Sequence, residues 1–340
     1  MKILFIGGTG IISSACSELA IKRGMELHMI NRGISKKMPP PKGAHLLNAD
    51  IRKEPDKISD YLRDEKFDAI VDWVAFTESD IEQDIKLFTG KTKQFVFISS
   101  TTVYHKPAKH YVITENNPLG NPFSEYARNK IACEERLMME YVKKGFPATI
   151  IRPSLTYGFS QIPLCGGSWN YPYTLINRMK KGKKIIVPGD GTSLWTLTWN
   201  ADFAKGLIGL IGHRKAIGEA FHITSDEVLS WNQIFLEAGR AAGAEPKLIH
   251  IPSDLLAAYI PRLTASLIGD KINSVVFDNS KIKKFVPDFK AEVKWSEGVR
   301  KAIKWHEKKP ERQTIDKEAD KMFDKIIHEY GKAWPAKRNN

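Results

Sequence analysis

Apolar residues come in short unbroken runs at the start of the chain. Lys2 is followed by Ile3-Leu4-Phe5-Ile6 and then by Gly7-Gly8-Thr9-Gly10. A run without polar alternation is expected for a parallel strand buried on both faces. The pattern then turns helical from about Ile12 to Arg23 and stops at Gly24. Glu26–Ile30 reads as a second strand, and Phe67–Trp73 and Gln94–Ile98 as later ones. Helical spacing covers Glu78–Phe88, and a long helix opens near Pro122 and runs to about Lys144. Ala148–Arg152 reads as a strand stopped by Pro153. Strands alternating with helices predict an α/β fold, a doubly wound parallel sheet of Rossmann type.

After Pro153 the pattern loosens. Residues 158–172 read as a loop over substrate, Thr174–Lys181 as a helix. The Ala201–Ile211 helix and the Ala220–Thr224 strand return to the main sheet. The expected organisation is a dinucleotide-binding domain over residues 1–160, with 198–225 returning to it. Residues 161–197 and 226–305 form a smaller C-terminal α/β substrate lobe, and 306–340 a helical tail. In that tail Ile315, Ala319, Met322, Phe323, Ile326, Ile327 and Tyr330 recur at helical intervals, which predicts a docked amphipathic helix.

At 340 residues, with 42% hydrophobic and 27% charged content, the chain can bury a large core. No apolar stretch approaches the roughly 20 residues a bilayer span needs. Three scattered cysteines form neither a disulfide framework nor a CxxC site, so a reduced, cytoplasmic protein is expected. The nine histidines show neither HxxxH nor HExxH spacing, and no metal site is expected. The net charge of +13 is spread along the chain without an Arg-rich arm, which reads as a solvated basic surface rather than an RNA groove.

Two segments carry chemistry. Gly7, Gly8 and Gly10 allow a tight turn, and the helix that follows points free N–H groups at a pyrophosphate. Gly7, Gly8, Thr9, Gly10, Ile11 and Ile12 are therefore candidate cofactor residues. Ser13 stands at the third glycine position of the fingerprint. At the end of the second strand Asn31-Arg32 offers a guanidinium and no acid, favouring NADP over NAD. Asp50 and Ile51 are placed to bracket an adenine. The second segment, Tyr126-Ala-Arg-Asn-Lys130, sets a phenol and an ammonium on one helix face, where the ammonium is expected to lower the phenol pKa. Ser99-Ser100-Thr101-Thr102 puts hydroxyls at a strand end, where open α/β sheets hold ligands.

In this order the motifs resemble an extended short-chain dehydrogenase/reductase of the NAD-dependent epimerase/dehydratase type, over roughly residues 1–305. Gly7–Ser13, Ser99–Tyr104, Tyr126/Lys130, Arg152-Pro153-Ser-Leu-Thr-Tyr157-Gly158, Pro188–Thr192, Asp278–Lys281 and Trp295–Gly298 match its landmarks. The resemblance implies that Tyr126 exchanges a proton with a substrate hydroxyl and that Lys130 binds the nicotinamide ribose. It implies that Ser100 orients the substrate oxygen, that Ser99 and Pro153 border the cofactor, and that the Tyr126 helix pairs in a homodimer. The implied enzyme is an NAD(P)-dependent oxidoreductase or epimerase on a hydroxyl/keto carbon of a sugar or nucleotide-sugar-like substrate. The alternative is an RNA-binding protein on the same fold, as in the chloroplast stem-loop subgroup. Two departures are visible. Thr101-Thr102 replaces the Asp-Glu pair of sugar-nucleotide dehydratases. Trp195 stands where members that bind a nucleotide-sugar diphosphate commonly carry Arg.

Overall fold

The structure is a computed structural model and describes residues 1–34 and 38–333. It divides into two compact units. The first comprises Met1–Thr156, Thr196–Asp226 and Phe277–Glu292, the second Tyr157–Trp195, Glu227–Val276 and Val293–Asn340. Phe277–Glu292, expected with the smaller lobe, lies in the first unit, because Ile282 and Phe289 complete the core on one face of its sheet. The tail is part of the second unit, and its last residues, 334–340, lie outside the described residues.

The first unit is built on seven strands: β1 (Lys2–Ile6), β2 (Glu26–Asn31), β3 (His45–Asn48), β4 (Ala69–Asp72), β5 (Phe95–Ile98), β6 (Ala148–Pro153) and β7 (Ala220–Ile223). Their order is β3-β2-β1-β4-β5-β6-β7, and every pairing is parallel. The direction of growth reverses at β1, with β2 on one side and β4 on the other. The expected strands lie within a residue or two of those observed, including the return of β7.

The unbroken apolar runs are explained by burial on both faces. On one face Ile3 and Phe5 pack with Cys16 and Ala20 of α1 (Ile11–Lys22). Phe203 and Leu207 of the Asn200–Leu210 helix join them. On the other face Leu4 and Ile6 share a core with three helices of the first unit, Pro55–Leu62, Glu78–Phe88 and the long Glu125–Lys144. Numbered in chain order these are α2, α3 and α4. Alternate side chains of a strand point to opposite faces, so one run feeds two cores. Ser124 caps α4 by accepting from the Ala127 N–H at 3.2 Å, and Gly145 ends it in the left-handed region.

In the second unit Lys184–Pro188 pairs in parallel with Lys247–Ile251. The amphipathic tail helix is Lys317–Lys332, with Ala319, Phe323 and Ile326 buried. Asp316 caps its first turn. The Arg178 guanidinium, fully buried, donates to Asp320 Oδ1 at 2.5 Å, to Asp324 Oδ1 at 2.9 Å and to the Lys184 carbonyl at 2.9 Å. Among the described residues no helix is long and apolar enough to cross a membrane.

Losing the buried guanidinium removes its hydrogen bonds to both carboxylates, about 1–3 kcal/mol, while Asp320 and Asp324 keep Lys183 as a partner. Arg178→Met should therefore loosen the tail before the rest of the chain. Hydrogen exchange should show Lys317–Lys332 amides losing protection in the variant while β1 and β4 keep theirs. Uniform loss across both units would contradict this.

Candidate active site

All seven strands run the same way, so their C-terminal ends share one edge of the sheet. Gly7–Ile12 follow β1, Asn31 and Arg32 end β2, and Asp50 and Ile51 follow β3. Ser99 and Ser100 follow β5, and Pro153 is the last residue of β6. The expected cofactor residues thus gather along one line, across the point where strand order reverses.

The glycine turn is required by backbone and space together. Gly8 has φ +100°, and a Cβ there would lie 2.5 Å from the Met29 methyl. The Gly7 N–H donates to the Ile30 carbonyl at 2.8 Å, tying the turn to β2. Ser13 does more than fit beside the turn, since its hydroxyl accepts from the Gly10 N–H at 2.8 Å. Ser17 donates to the Gly8 carbonyl at 2.9 Å. The first-turn N–H groups of α1 have no intrahelical acceptor and face this loop.

Three buried polar atoms along the edge have no partner among the described residues: Asn31 Nδ2, Trp73 Nε1 and Ser99 Oγ. Buried polar atoms are rarely left unpaired, so this row at the ends of β2, β4 and β5 fits a polar ligand laid across the strands. Residues and edge both fit a dinucleotide. Arg32 is exposed and makes no ion pair or hydrogen bond among the described residues. Asp50 accepts from the Arg52 N–H at 3.0 Å. Ile51 is buried beneath it.

Tyr126 and Lys130 share one face of α4, with Glu134 a turn further on. Their surroundings differ sharply. Tyr126 is 44% exposed, whereas Lys130 is 2% exposed. The Lys130 ammonium donates to the Ala75 carbonyl at 2.6 Å and the Ile98 carbonyl at 2.8 Å. It lies 4.6 Å from the Phe97 ring centre and 5.8 Å from that of Tyr126. Burial pulls its pKa down to about 8, with the Asp72 charge opposing the fall. The Tyr126 phenol is pushed above its usual value by desolvation, and its hydrogen bond with Ser100 offsets only part of that. The expected lowering of the phenol pKa by Lys130 is therefore not found in this state: the ammonium is turned to the two carbonyls. Ser100 Oγ also accepts from the Thr102 N–H at 3.2 Å and hydroxyl at 3.0 Å.

Two buried networks hold this arrangement, and sequence reasoning missed both. In one, Asp72 Oδ1 accepts from the Val74 N–H at 2.5 Å and the Ala75 N–H at 2.9 Å, shaping the turn whose carbonyl meets Lys130. Its other oxygen accepts from Arg52 at 2.8 Å, and Arg52 also donates to Asp84 at 2.5 Å. Asp72 and Asp84 are fully buried, and desolvation together with Asp72 pushes Asp84 well above the usual carboxylate range. In the other, Arg152 forks onto Glu134 at 3.0 and 2.6 Å and donates to the Tyr104 hydroxyl at 3.3 Å. Tyr104 in turn lies 3.1 Å from His222 Nδ1. One pins the turn beside Lys130, the other pins α4 to β6.

The second unit holds Tyr157-Gly158, Pro188–Thr192 and Trp295–Gly298. Tyr157 is buried edge-on to Trp295, 5.1 Å between centres, and its hydroxyl fills the space a Cβ at Gly298 would need. Trp195 is buried and stacks on Trp231 at 5.9 Å, so its ring faces protein. The Lys271 ammonium lies 5.6 Å from the Trp195 ring centre, a cation the sequence did not single out.

Residues 3–224 match the NAD dependent epimerase/dehydratase family. The chain belongs to that family. Among curated proteins it is 27% identical over 266 residues to the chloroplast stem-loop binding protein of 41 kDa b of Arabidopsis thaliana, covering 73% of this chain and 65% of that protein. The chain thus spans slightly less than two thirds of that relative. It is 23% identical over 265 residues to 2'-dehydrokanamycin reductase of Streptomyces kanamyceticus, covering 76% and 72%. Among solved structures the UDP-glucuronic acid 4-epimerase of Bacillus cereus, in complex with NAD, superposes with a TM-score of 0.69. It is 19% identical and covers 90% of this chain and 96% of that one, a likeness of fold.

The buried ammonium has a measurable consequence. With its pKa at about 8 in the fold and 10.5 as the ordinary value, Lys130 binds fewer protons folded than unfolded between those limits. Stability contributed by this position therefore rises as pH climbs through that window. Relative to Lys130→Met, the wild type should gain about 3 kcal/mol between pH 7 and pH 10.5. Urea unfolding at both pH values checks this, and a constant difference would contradict it.

Proposed function

We propose that this enzyme is an NAD(P)-dependent epimerase or reductase acting on a hydroxyl/keto carbon of a sugar or nucleotide-sugar-like substrate. The observation that carries the reading is the pairing of exposed Tyr126 with buried Lys130 beside a row of unpartnered polar atoms. When bound, a nicotinamide dinucleotide supplies hydride transfer at the carbon bearing the substrate oxygen.

The chain's own residues do the rest. Gly7–Ile12 cradle the pyrophosphate on the α1 N-terminus, and Asp50 and Ile51 receive the adenine. Lys130, already held by two carbonyls, has a third N–H for the nicotinamide ribose. Its positive charge then stabilises a phenolate on Tyr126 once proton transfer begins. Tyr126, a protonated phenol in the resting state, gives its proton to a keto oxygen or takes one back from the alcohol through the reverse step. Ser100 donates to the same oxygen and keeps it against the phenol. Arg32 favours NADP by pairing with a 2′-phosphate. For the substrate, Lys271 over Trp195, 3.5 Å from Asp270, supplies an ammonium where the sequence resemblance leads one to expect a guanidinium.

A homodimer through α4 belongs to the same proposal. Met139 and Val142 stand exposed one turn apart on that helix, 42% and 77%, apolar positions that a second copy would cover. Similarity to a stem-loop binding protein keeps RNA binding as the competing outcome.

The test is a titration of the stripped protein with NADP(H) and NAD(H), followed by a screen of keto-sugar and nucleotide-sugar substrates. Arg32→Ala should weaken NADP binding about tenfold, roughly 1.4 kcal/mol, and leave NAD unchanged. Tyr126→Phe should reduce turnover by about 10²-fold or more with cofactor affinity kept. NAD retained through purification would favour an epimerase over a reductase and remove the role given to Arg32. If neither nucleotide binds, the redox reading fails, and RNA affinity that drops steeply with salt would replace it.

A further inference from the structure

The opposite edge of the sheet carries a second cluster. Glu26 and His28 are two apart on β2 and so share one face of the strand. The parallel register sets His45 of β3 directly beside His28. One ligand atom from each, a carboxylate oxygen and two ring nitrogens, lies within 4.8 Å of the others. Two ligands on one strand and a third from its neighbour form a triangular face open on one side. A search by helical spacing passes over this pattern, because its ligands are two residues apart and then on the next strand.

We propose that Glu26, His28 and His45 bind a divalent metal ion of the zinc type. His28 is buried and already oriented. Its Nε2 is 2.8 Å from Glu26 Oε1, and its Nδ1 is 2.5 Å from the Tyr61 hydroxyl on α2. A ligating histidine needs its second nitrogen fixed in this way, which sets both tautomer and ring direction. When His28 Nδ1–H donates to the Tyr61 oxygen, the Nε2 lone pair faces the Glu26 carboxylate, and an ion binds between them in place of their hydrogen bond.

His45 completes the set. Its ring stacks on His28, 4.7 Å between centres and 23° between planes. In that pose the two lone pairs run parallel rather than converging, so the His45 ring must turn. It is exposed and makes no hydrogen bond among the described residues, so turning breaks nothing except the stack. Two nitrogens, one oxygen and a water make the four-coordinate set zinc accepts at about 2.0–2.2 Å. Hard oxygen-seeking ions such as magnesium are disfavoured by the two imidazoles. The Lys2 ammonium, 3.7 Å from Glu26 Oε1, competes with the ion, but it also hydrogen-bonds Glu65 and can withdraw to that partner.

An ion here would clip the edge strand β3 to β2. Those strands carry Asn31, Arg32, Asp50 and Ile51 at or beyond their other ends, so the clip would stiffen the adenosine side of the cofactor edge without touching it.

The experiment uses the full chain, stripped with chelator and titrated calorimetrically with zinc, with cobalt(II) as a spectroscopic probe of geometry. One ion per chain should bind with a dissociation constant on the order of micromolar or tighter, and cobalt should give the intense visible bands of a four-coordinate site. His45→Ala and Glu26→Gln should each weaken binding by about tenfold or more. Lys2→Met should strengthen it. NADP(H) titration of the same variants separates this proposal from the cofactor reading, since dinucleotide binding should persist in all of them. Absence of zinc binding, or binding indifferent to His45→Ala, overturns the proposal.

Discussion

A single buried cation sets the terms for this active edge. Lys130 reaches from α4 to the carbonyls of Ala75 and Ile98, at the ends of two adjacent strands. Burying an ammonium costs several kcal/mol unless it is paired, and no carboxylate touches this one. It is held by backbone dipoles, by the Phe97 face and by the Asp72 charge behind the turn. The surroundings must therefore be rigid, because two carbonyl distances are the main compensation. That requirement explains why a buried carboxylate pair and an arginine occupy space that apolar residues would fill at lower cost. Asp72 orders the turn, Arg52 anchors Asp72, and Asp84 holds Arg52 from α3.

The sheet and its helices were legible because burial on two faces leaves an unmistakable pattern. The runs ILFI, AIVD and FVFI mark β1, β4 and β5 without help from any partner. Residues whose place is fixed by strand position were legible for the same reason, since strand ends share one edge. The networks were not. Arg52 lies 20 residues from Asp72 and 32 from Asp84, and nothing local distinguishes these from surface charges. Only the turn that follows β4 brings them together. The expected influence of Lys130 on Tyr126 failed on direction rather than proximity: helical spacing sets which face a side chain shares, not which way its terminal atom points.

The parallel sheet also divides labour between its two edges. C-terminal ends offer loops that open into helix N-termini, which suit anions and polar ligands. N-terminal ends offer side chains in strict register, so Glu26, His28 and His45 meet by strand geometry alone. Both edges converge on β2 and β3, and β3 is the sheet's last strand, paired only with β2. Asn48 and Arg32 are exposed, and β3 is exposed at three of its four residues. A constraint on this pair at one end is thus felt at the other through the ladder hydrogen bonds, with no need for a moving domain.

On the function proposed above, substrate recognition follows a different logic from cofactor recognition. The cofactor edge depends on backbone geometry, so glycine φ values and strand ends decide it. The second unit instead presents side chains, with Trp195 stacked on Trp231 and the Lys271 ammonium 5.6 Å from the Trp195 ring centre. A forked guanidinium grips two phosphate oxygens in a fixed plane, whereas an ammonium is a point charge that any single anionic oxygen satisfies. On the function proposed above, exchanging one for the other relaxes the demand for a diphosphate while keeping attraction to an anionic group. On that reading, α4 and the glycine turn carry the redox chemistry, and the second unit sets the molecule on which it acts.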